Sequence, residues 1–468
     1  MILGLVTVIG PWMFGAWEMW WFWGFAMLIC LSLLITGMQL IIQSSKDPHL
    51  FAGQVRLPLL AALPFLVYAL ISWWHADVFM SAERSVLLYL SGVAVAFSIA
   101  YGLHRQQQSL LLKIIFANLL AIGAYGIINH LAWKSTHVLW ARRYPQYAGR
   151  ALGTYFCPDH FAGIMEIMLC IALAMLVARR TALWLRLTAL LAGCGALVAI
   201  ALTLSRGGLL TLPIIFGGIF IWGFAQWPAY IRRSLRIIAI ASGLLLVMVL
   251  VYSGGRHIER LTSYGGHWGQ NLATKTNADK TSETNSLTTT LKQNTKHILT
   301  ALSRTSRGRM YGGAWRAWQS SPWLGIGAGM HQNLWPHFAA TNDGNREKGI
   351  WPTLPNDNFH SYEVHNDWLQ LLEEYGIIGI ILFLIPFGTI LFLLVRGIHE
   401  NGRTALTPDY SDEDNFIFVE KLSALLILLA MAFHSFGDFN LQMPATVWIL
   451  AAITSIALST PAEYEKSK

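Results

Sequence analysis

The chain has 468 residues, of which 54% are hydrophobic and only 12% are Asp, Glu, Lys or Arg; an ordinary soluble domain carries roughly 25% charged residues. At about 20 apolar residues per crossing, this composition supplies roughly twelve membrane spans. It excludes a soluble enzyme, a disordered chain and a small disulfide scaffold. The net charge is +8, yet no dense Lys/Arg tract alternates with aromatics, so nucleic acid is not indicated as a partner. Many basic residues instead flank apolar runs, as topology signals do. Cys30, Cys157, Cys170 and Cys194 show no paired spacing, and three of them lie inside apolar runs. Neither a disulfide framework nor a zinc site follows. The first basic residue is Lys46, so residues 1–43 read as retained membrane segments rather than a cleavable signal peptide.

In chain order, apolar spans are predicted near 2–14, 20–43, 56–74, 85–103, 110–131, 161–178, 182–204, 207–225, 236–253, 376–396, 420–437 and 444–460, the first weakened by Pro11. The expected fold is an all-α polytopic membrane protein of about twelve transmembrane helices. Nine helices fall in residues 1–253, a large loop in 254–375, and three helices with a C-terminal tail in 376–468. With both termini cytoplasmic, Lys46, Arg56, Arg105, Lys113, Arg179, Arg180, Arg186, Arg232, Arg233, Arg236, Arg396 and Arg403 fall inside. They outnumber Arg84, Lys134, Arg142, Arg143, Arg150 and Arg206 on the other side, as the positive-inside rule asks. The large loop then faces outward. Its stretch 269–300 is rich in Thr, Asn, Lys and Ser without an aromatic and reads as a mobile insert. Residues 303–375 carry the Trp, Gly and Pro signals of a folded piece that could close a site. The run Asp409, Asp412, Glu413, Asp414 reads as a solvated loop.

The most informative stretch is Val364–Gly379. Leu369, Leu372 and Tyr375 recur at helical spacing, and Asp367 with Gln370 resembles a capping box. A helix is predicted to start near Asn366 and to break around Gly376, with His365 at its N-terminal edge. An imidazole there can take a proton from a hydroxyl, although a histidine can equally cap or pack. At Leu204–Gly208, Arg206 stands between two apolar runs, costly enough that it either snorkels or meets an anion. Gly207 and Gly208 would let a bulky head group approach the backbone. In Ser303–Gly329, Arg304, Arg307, Arg309 and Arg316 precede a Pro-turn-Gly run and suit a phosphate-bearing lipid head group. The Gly-Ile-Gly-Ala-Gly piece within it lacks the strand and following acid of a dinucleotide loop, and reads as a turn. Gly153–Glu166 holds Asp159 and His160 at the start of the sixth span. His434 and Asp438 are four apart, on one predicted helix face, and each of these two pairs reads as a structural hydrogen-bonding pair. No His-Glu-x-x-His occurs, and Asp343, Glu347, Asp357 and Glu363 are scattered without ligand spacing, so no metal site is expected.

At these residues the chain resembles the O-antigen ligase and O-antigen polymerase family of bacterial envelope glycan enzymes. The resemblance rests on five pieces. They are His-Asn-x-x-Leu-x-x-x-x-Glu-x-Gly at 365–376, Ser-Arg-Gly at 205–207 and Pro-x-x-Gly-x-Gly-x-Gly at 322–329, with Gly-Thr-Tyr…His-Phe-Ala-Gly at 153–163 and His-Ser…Asp-Phe-Asn-Leu at 434–441. It spans most of residues 150–445; Asp159 stands where the family pattern leads one to expect asparagine, and the 269–300 insert is unusual. The resemblance implies a GT-C-like glycosyltransferase of the bacterial inner membrane. It would move a glycan from an undecaprenyl diphosphate donor to an acceptor hydroxyl outside that membrane, in lipopolysaccharide or exopolysaccharide biosynthesis. It also implies metal-independent, inverting chemistry without a cofactor. His365 corresponds to the general base and Arg206 to a diphosphate-binding arginine. Arg307, with Arg309 as second choice, fills the other anion role; Asn366, His160, His434 and Asp438 are candidate supporting residues. Ligase, repeat-unit polymerase and protein-glycosylating enzyme stay open, as does the acceptor, either a glycan or a core lipid. A transporter or flippase is the alternative from another class; it predicts charges paired mid-membrane and repeated halves, and neither is visible.

Overall fold

The structure, a computed structural model, describes residues 1–44, 55–226, 306–339, 360–404 and 411–459. Among these residues it is almost wholly helical. Eight helices precede the large loop: α1 (Ile2–Trp12), α2 (Met19–Ser44), α3 (Arg56–Trp74), α4 (Phe79–Gly102), α5 (Arg105–Trp133), α6 (Pro158–Val177), α7 (Leu183–Thr203) and α8 (Arg206–Gln226). The loop contributes α9 (Ser306–Ser320) and α10 (His331–Ala339). Then follow α11 (Asp367–Thr404), α12 (Asp412–His434) and α13 (Pro444–Leu458). One two-residue hairpin, β1 (His137–Val138) against β2 (Ala141–Arg142), interrupts the all-α pattern.

Among the described residues eight helices are long and apolar enough to cross a membrane: α2 to α7, α11 and α12. The apolar helices α1, α8 (to Ile219) and α13 are shorter. The predicted span 236–253, the insert 269–300, Arg304, Asp343, Glu347 and Asp357 lie outside the described residues. The acidic run is not all loop. Asp412, Glu413 and Asp414 form the first turn of α12, where Ser411 and Asp414 make a capping box and carboxylates suit the helix dipole.

Helix α6 is the pillar of the core. Pro158 sits in its first turn, where its missing N–H costs nothing. Most of its residues, among them Phe161, Ile164, Met165, Ile167 and Cys170, are fully buried, because α7 and α12 pack along it. The outer helices are the reverse. Leu34, Met38 and Ile41 of α2, Leu63 and Val67 of α3, and Leu191 of α7 point outward and are exposed. An apolar outer surface of this kind is the face a bilayer covers.

The loop is joined to the bundle through a break in α11. Gly376 leaves the helical conformation at φ 65°, which strands carbonyls on one side and N–H groups on the other. The loop supplies both sets of partners. The N–H groups of Ile326 and Gly327 donate to the carbonyls of Glu373 and Glu374 (2.9 and 3.0 Å), and those of Ile377 and Ile378 donate to Pro322 and Trp323 (2.9 and 3.2 Å). Irregular backbone inside a membrane protein survives only when satisfied in this way. A Cβ on Gly376 would collide with the Trp323 carbonyl. We therefore expect Gly376→Ala to destabilise the protein by about 2 kcal/mol or more. Thermal unfolding in detergent checks this, and an unchanged midpoint would contradict the role given to the break.

Candidate active site at one end of the bundle

The first turn of α11 is built by short-range and long-range partners together. Asn366 is its cap: the Leu369 N–H donates to Asn366 Oδ1 at 2.9 Å. The expected Asp367–Gln370 capping box does not form. Gln370 Oε1 accepts the Val364 N–H (3.1 Å), while its amide donates to Glu363 and Glu374. Asp367 Oδ2 accepts from the Ser435 hydroxyl (2.8 Å) and the Leu441 N–H (3.1 Å), and the Asp367 N–H donates to the Ser435 carbonyl (2.9 Å). These bonds stitch the start of α11 to the turn between α12 and α13.

That stitching aligns His365 with Asp438. His365 Nδ1 lies 2.9 Å from Asp438 Oδ1, with the imidazole 23% exposed and the carboxylate 1%. With Nδ1 engaged by a carboxylate, Nε2 is the nitrogen left to carry the lone pair. Burial pushes the Asp438 carboxyl up, but the His365 hydrogen bond, with His160 and the Arg307 guanidinium nearby, brings it well below the usual carboxylate range. His365 has φ 58°, a left-handed conformation uncommon for a side-chain-bearing residue and typical of functional positions. Its carbonyl accepts from the Tyr311 hydroxyl of α9 at 2.9 Å.

His434 and Asp438 do not share a helix face: α12 ends at His434, and Asp438 lies in the turn beyond. His434 Nδ1 instead meets Glu166 Oε1 of α6 at 2.8 Å, both fully buried. Asp159 and His160 are also separated in role. Asp159 takes Arg150 at 2.7 Å and Arg307 at 3.9 Å. His160 presents its ring to Phe439 edge-to-face, at 4.4 Å between centroids, and His365 does the same at 4.5 Å. Cys157, His160 and Asp438 also gather their ligand-type atoms within 4.8 Å of one another, a juxtaposition the sequence reading did not foresee.

Arg206 opens α8 after a sharp turn at Leu204, φ 53°. Ser205 Oγ accepts the Gly208 N–H at 3.2 Å, and Gly207 packs so closely on the His434 ring that a Cβ there would have no room. Of the loop arginines, Arg307 reaches the site. Its guanidinium is one-third exposed (33%) and contacts Asp159, and it lies one turn before Tyr311. Arg309 is half-buried on α9. Arg316 is occupied elsewhere, donating to the Phe338 carbonyl at the end of α10, so it leaves the predicted arginine cluster.

Sequence reasoning missed Arg150, Glu166, Tyr311 and Phe439. Glu166 carried a readable signal, because an acid inside a predicted span requires a named partner. Removing one side of such a buried pair costs about 3–5 kcal/mol. His434→Ala should therefore lower the unfolding temperature in detergent sharply, and Glu166→Ala by a similar amount. A fully stable single variant would mean that the two do not pair.

No curated protein matches the chain. The family model described as O-antigen ligase matches residues 187–384, which takes in most of α7, Arg206, α9 with Arg307, the Pro322–Gly329 segment and His365 through the break at Gly376. Over that stretch, under half of its length, this polytopic membrane protein is similar to the O-antigen ligase family.

Proposed function

We propose that the protein transfers a glycan from an undecaprenyl diphosphate donor to an acceptor hydroxyl on the periplasmic side of the bacterial inner membrane, in the manner of an O-antigen ligase. The observation that carries this reading is the His365–Asp438 contact at 2.9 Å, formed at the end of the bundle where Arg206 opens α8 and Arg307 meets α6. The excess of Lys and Arg in the sequence of the opposite loops supports a periplasmic position for this end.

In this reading Asp438 holds the imidazole so that Nε2 faces the acceptor. Nε2 takes the hydroxyl proton while the acceptor oxygen bonds to the anomeric carbon of the donor. The bond from that carbon to the diphosphate oxygen breaks, and the diphosphate leaves with the electron pair. One displacement of this kind inverts the anomeric configuration. Charge grows on the leaving oxygens, and in this reading Arg206 and Arg307 stabilise it. Arg307 is preferred to Arg309 because its contact with Asp159 and its spacing from Tyr311 put it on the side of α9 that faces His365. In this reading the guanidinium pair supplies the charge stabilisation, and the step is written without a metal.

His365→Ala should lower transfer by about 10²–10⁴-fold in vesicles containing lipid-linked donor, with donor affinity unchanged. Asp438→Asn should lower the rate by about 10–100-fold, as for other groups that orient a working histidine. Arg206→Ala and Arg307→Ala should weaken donor binding as well as turnover, Arg309→Ala less so, and chelator should leave the rate intact. Full activity in His365→Ala, or undiminished donor affinity in both Arg206→Ala and Arg307→Ala, would refute the assignment. The product mass separates the acceptors: glycan on core lipid marks a ligase, a lengthened donor a polymerase.

A further inference from the structure

The start of α6 gathers a different chemistry beside the candidate base. Cys157 is the N-cap of α6 and His160 lies in its first turn, three residues on, so the two share one side of the helix start. Asp438, from the turn beyond α12, meets them there, and the ligand-type atoms of all three lie within 4.8 Å of one another. All three residues are buried.

Two of them hold atoms that the fold leaves unmet. Among the described residues His160 Nε2 and Asp438 Oδ2 are buried without a hydrogen-bond partner, since His365 and the Phe439 N–H both use Asp438 Oδ1 (2.9 and 3.0 Å). Such atoms are costly to bury unless something else meets them. The Cys157 thiol touches Asp159 Oδ2 at 3.8 Å, a weak sulfur contact that a stronger bond can replace. The nearby guanidinium groups of Arg150 and Arg307 are turned to Asp159 (2.7 and 3.9 Å), which offsets their charge.

We propose that Cys157, His160 and Asp438 bind a zinc ion that inhibits the protein by drawing the Asp438 charge away from His365. Zinc accepts sulfur, imidazole and carboxylate together, at about 2.0–2.3 Å, whereas magnesium and calcium ask for oxygen. Tetrahedral placement sets the donor atoms about 3.5 Å apart, a closure of about 1 Å that side-chain rotation supplies, with water in the fourth position. On binding, the Cys157 S–H bond breaks, the sulfur electron pair bonds to the metal and the proton passes to water. The N-terminus of α6 favours the thiolate so formed. His365, with its imidazole 23% exposed, marks the side from which an ion reaches the cluster. Asp438 then bridges zinc and His365, and a divalent ion there opposes the positive charge the imidazole must take up with the acceptor proton. The binding stands on the geometry alone; the inhibition rests on the transferase reading above.

The test uses the full-length protein in vesicles, with Zn²⁺ as the probe. Wild-type transfer should fall by about tenfold or more when zinc is added and return when a chelator removes it. Cys157→Ser should keep the metal-free rate within about twofold and need at least about 10–100-fold more zinc for the same inhibition. Cys30→Ser, which removes an exposed cysteine, should be inhibited like wild type. Equal inhibition of wild type and Cys157→Ser, or none in wild type, overturns the proposal. A binding arm is independent of turnover and of any variant's folding: Co²⁺ added to the purified wild-type protein should give the thiolate-to-cobalt absorption and the intense visible bands of a tetrahedral site, both lost on adding Zn²⁺ and absent in Cys157→Ser. A wild-type spectrum without the thiolate band overturns the site. If the band is present but no glycan is transferred under any condition, the transferase reading fails while the zinc site stands.

Discussion

An apolar bundle admits ionisable groups only where each meets a partner, because an isolated charge taken from water costs far more than one protein fold can offset. This constraint organises the end of the bundle described above. Asp159 lies between Arg150 and Arg307, Glu166 against His434, and Asp438 against His365. The partners come from different segments, so satisfying the charges also fixes how α6, α9, α12, the start of α11 and the turn between α12 and α13 meet. The same contacts that allow these groups to be buried set the imidazole beside its carboxylate.

Backbone polar groups obey the same rule. The break at Gly376 would leave carbonyls and N–H groups stranded, and the Pro322–Gly329 segment answers both sets. The loop is thereby docked on the bundle at a fixed register. His331 adds a buried contact, with Nδ1 2.8 Å from Glu373 and Nε2 2.9 Å from the Ser361 hydroxyl. Tyr311, held to the His365 carbonyl, carries this anchoring to the candidate base. Two motifs that look unrelated in the chain, one rich in glycine and one ending in Glu-x-Gly, are halves of one joint.

Much of the fold was legible because hydropathy is a strong signal when so few residues are charged. The predicted spans match helices wherever the residues are described, and the helix start near Asn366 and its break at Gly376 were readable from local pattern. Partners far apart in sequence were not. His365 and Asp438 are 73 positions apart, and Glu166 and His434 are 268 apart, and no local spacing encodes such pairings. The spacing rule misled at two places. Asp367 and Gln370 have capping-box spacing, yet tertiary partners claim both side chains. His434 and Asp438 are one helical turn apart, yet the helix stops between them. Arg316 looked like a member of an anion-binding cluster until the end of α10 claimed it.

The central claim is that a lipid-linked diphosphate sits between Arg206 and Arg307 with its sugar's anomeric carbon turned toward His365. A cryo-electron-microscopy structure of the protein in lipid nanodiscs with a non-transferable donor analogue measures this directly. The account predicts the diphosphate within hydrogen-bond reach of both guanidinium groups and the anomeric carbon on the Nε2 side of His365. A diphosphate bound at the other end of the bundle, or a sugar turned away from His365, would contradict it.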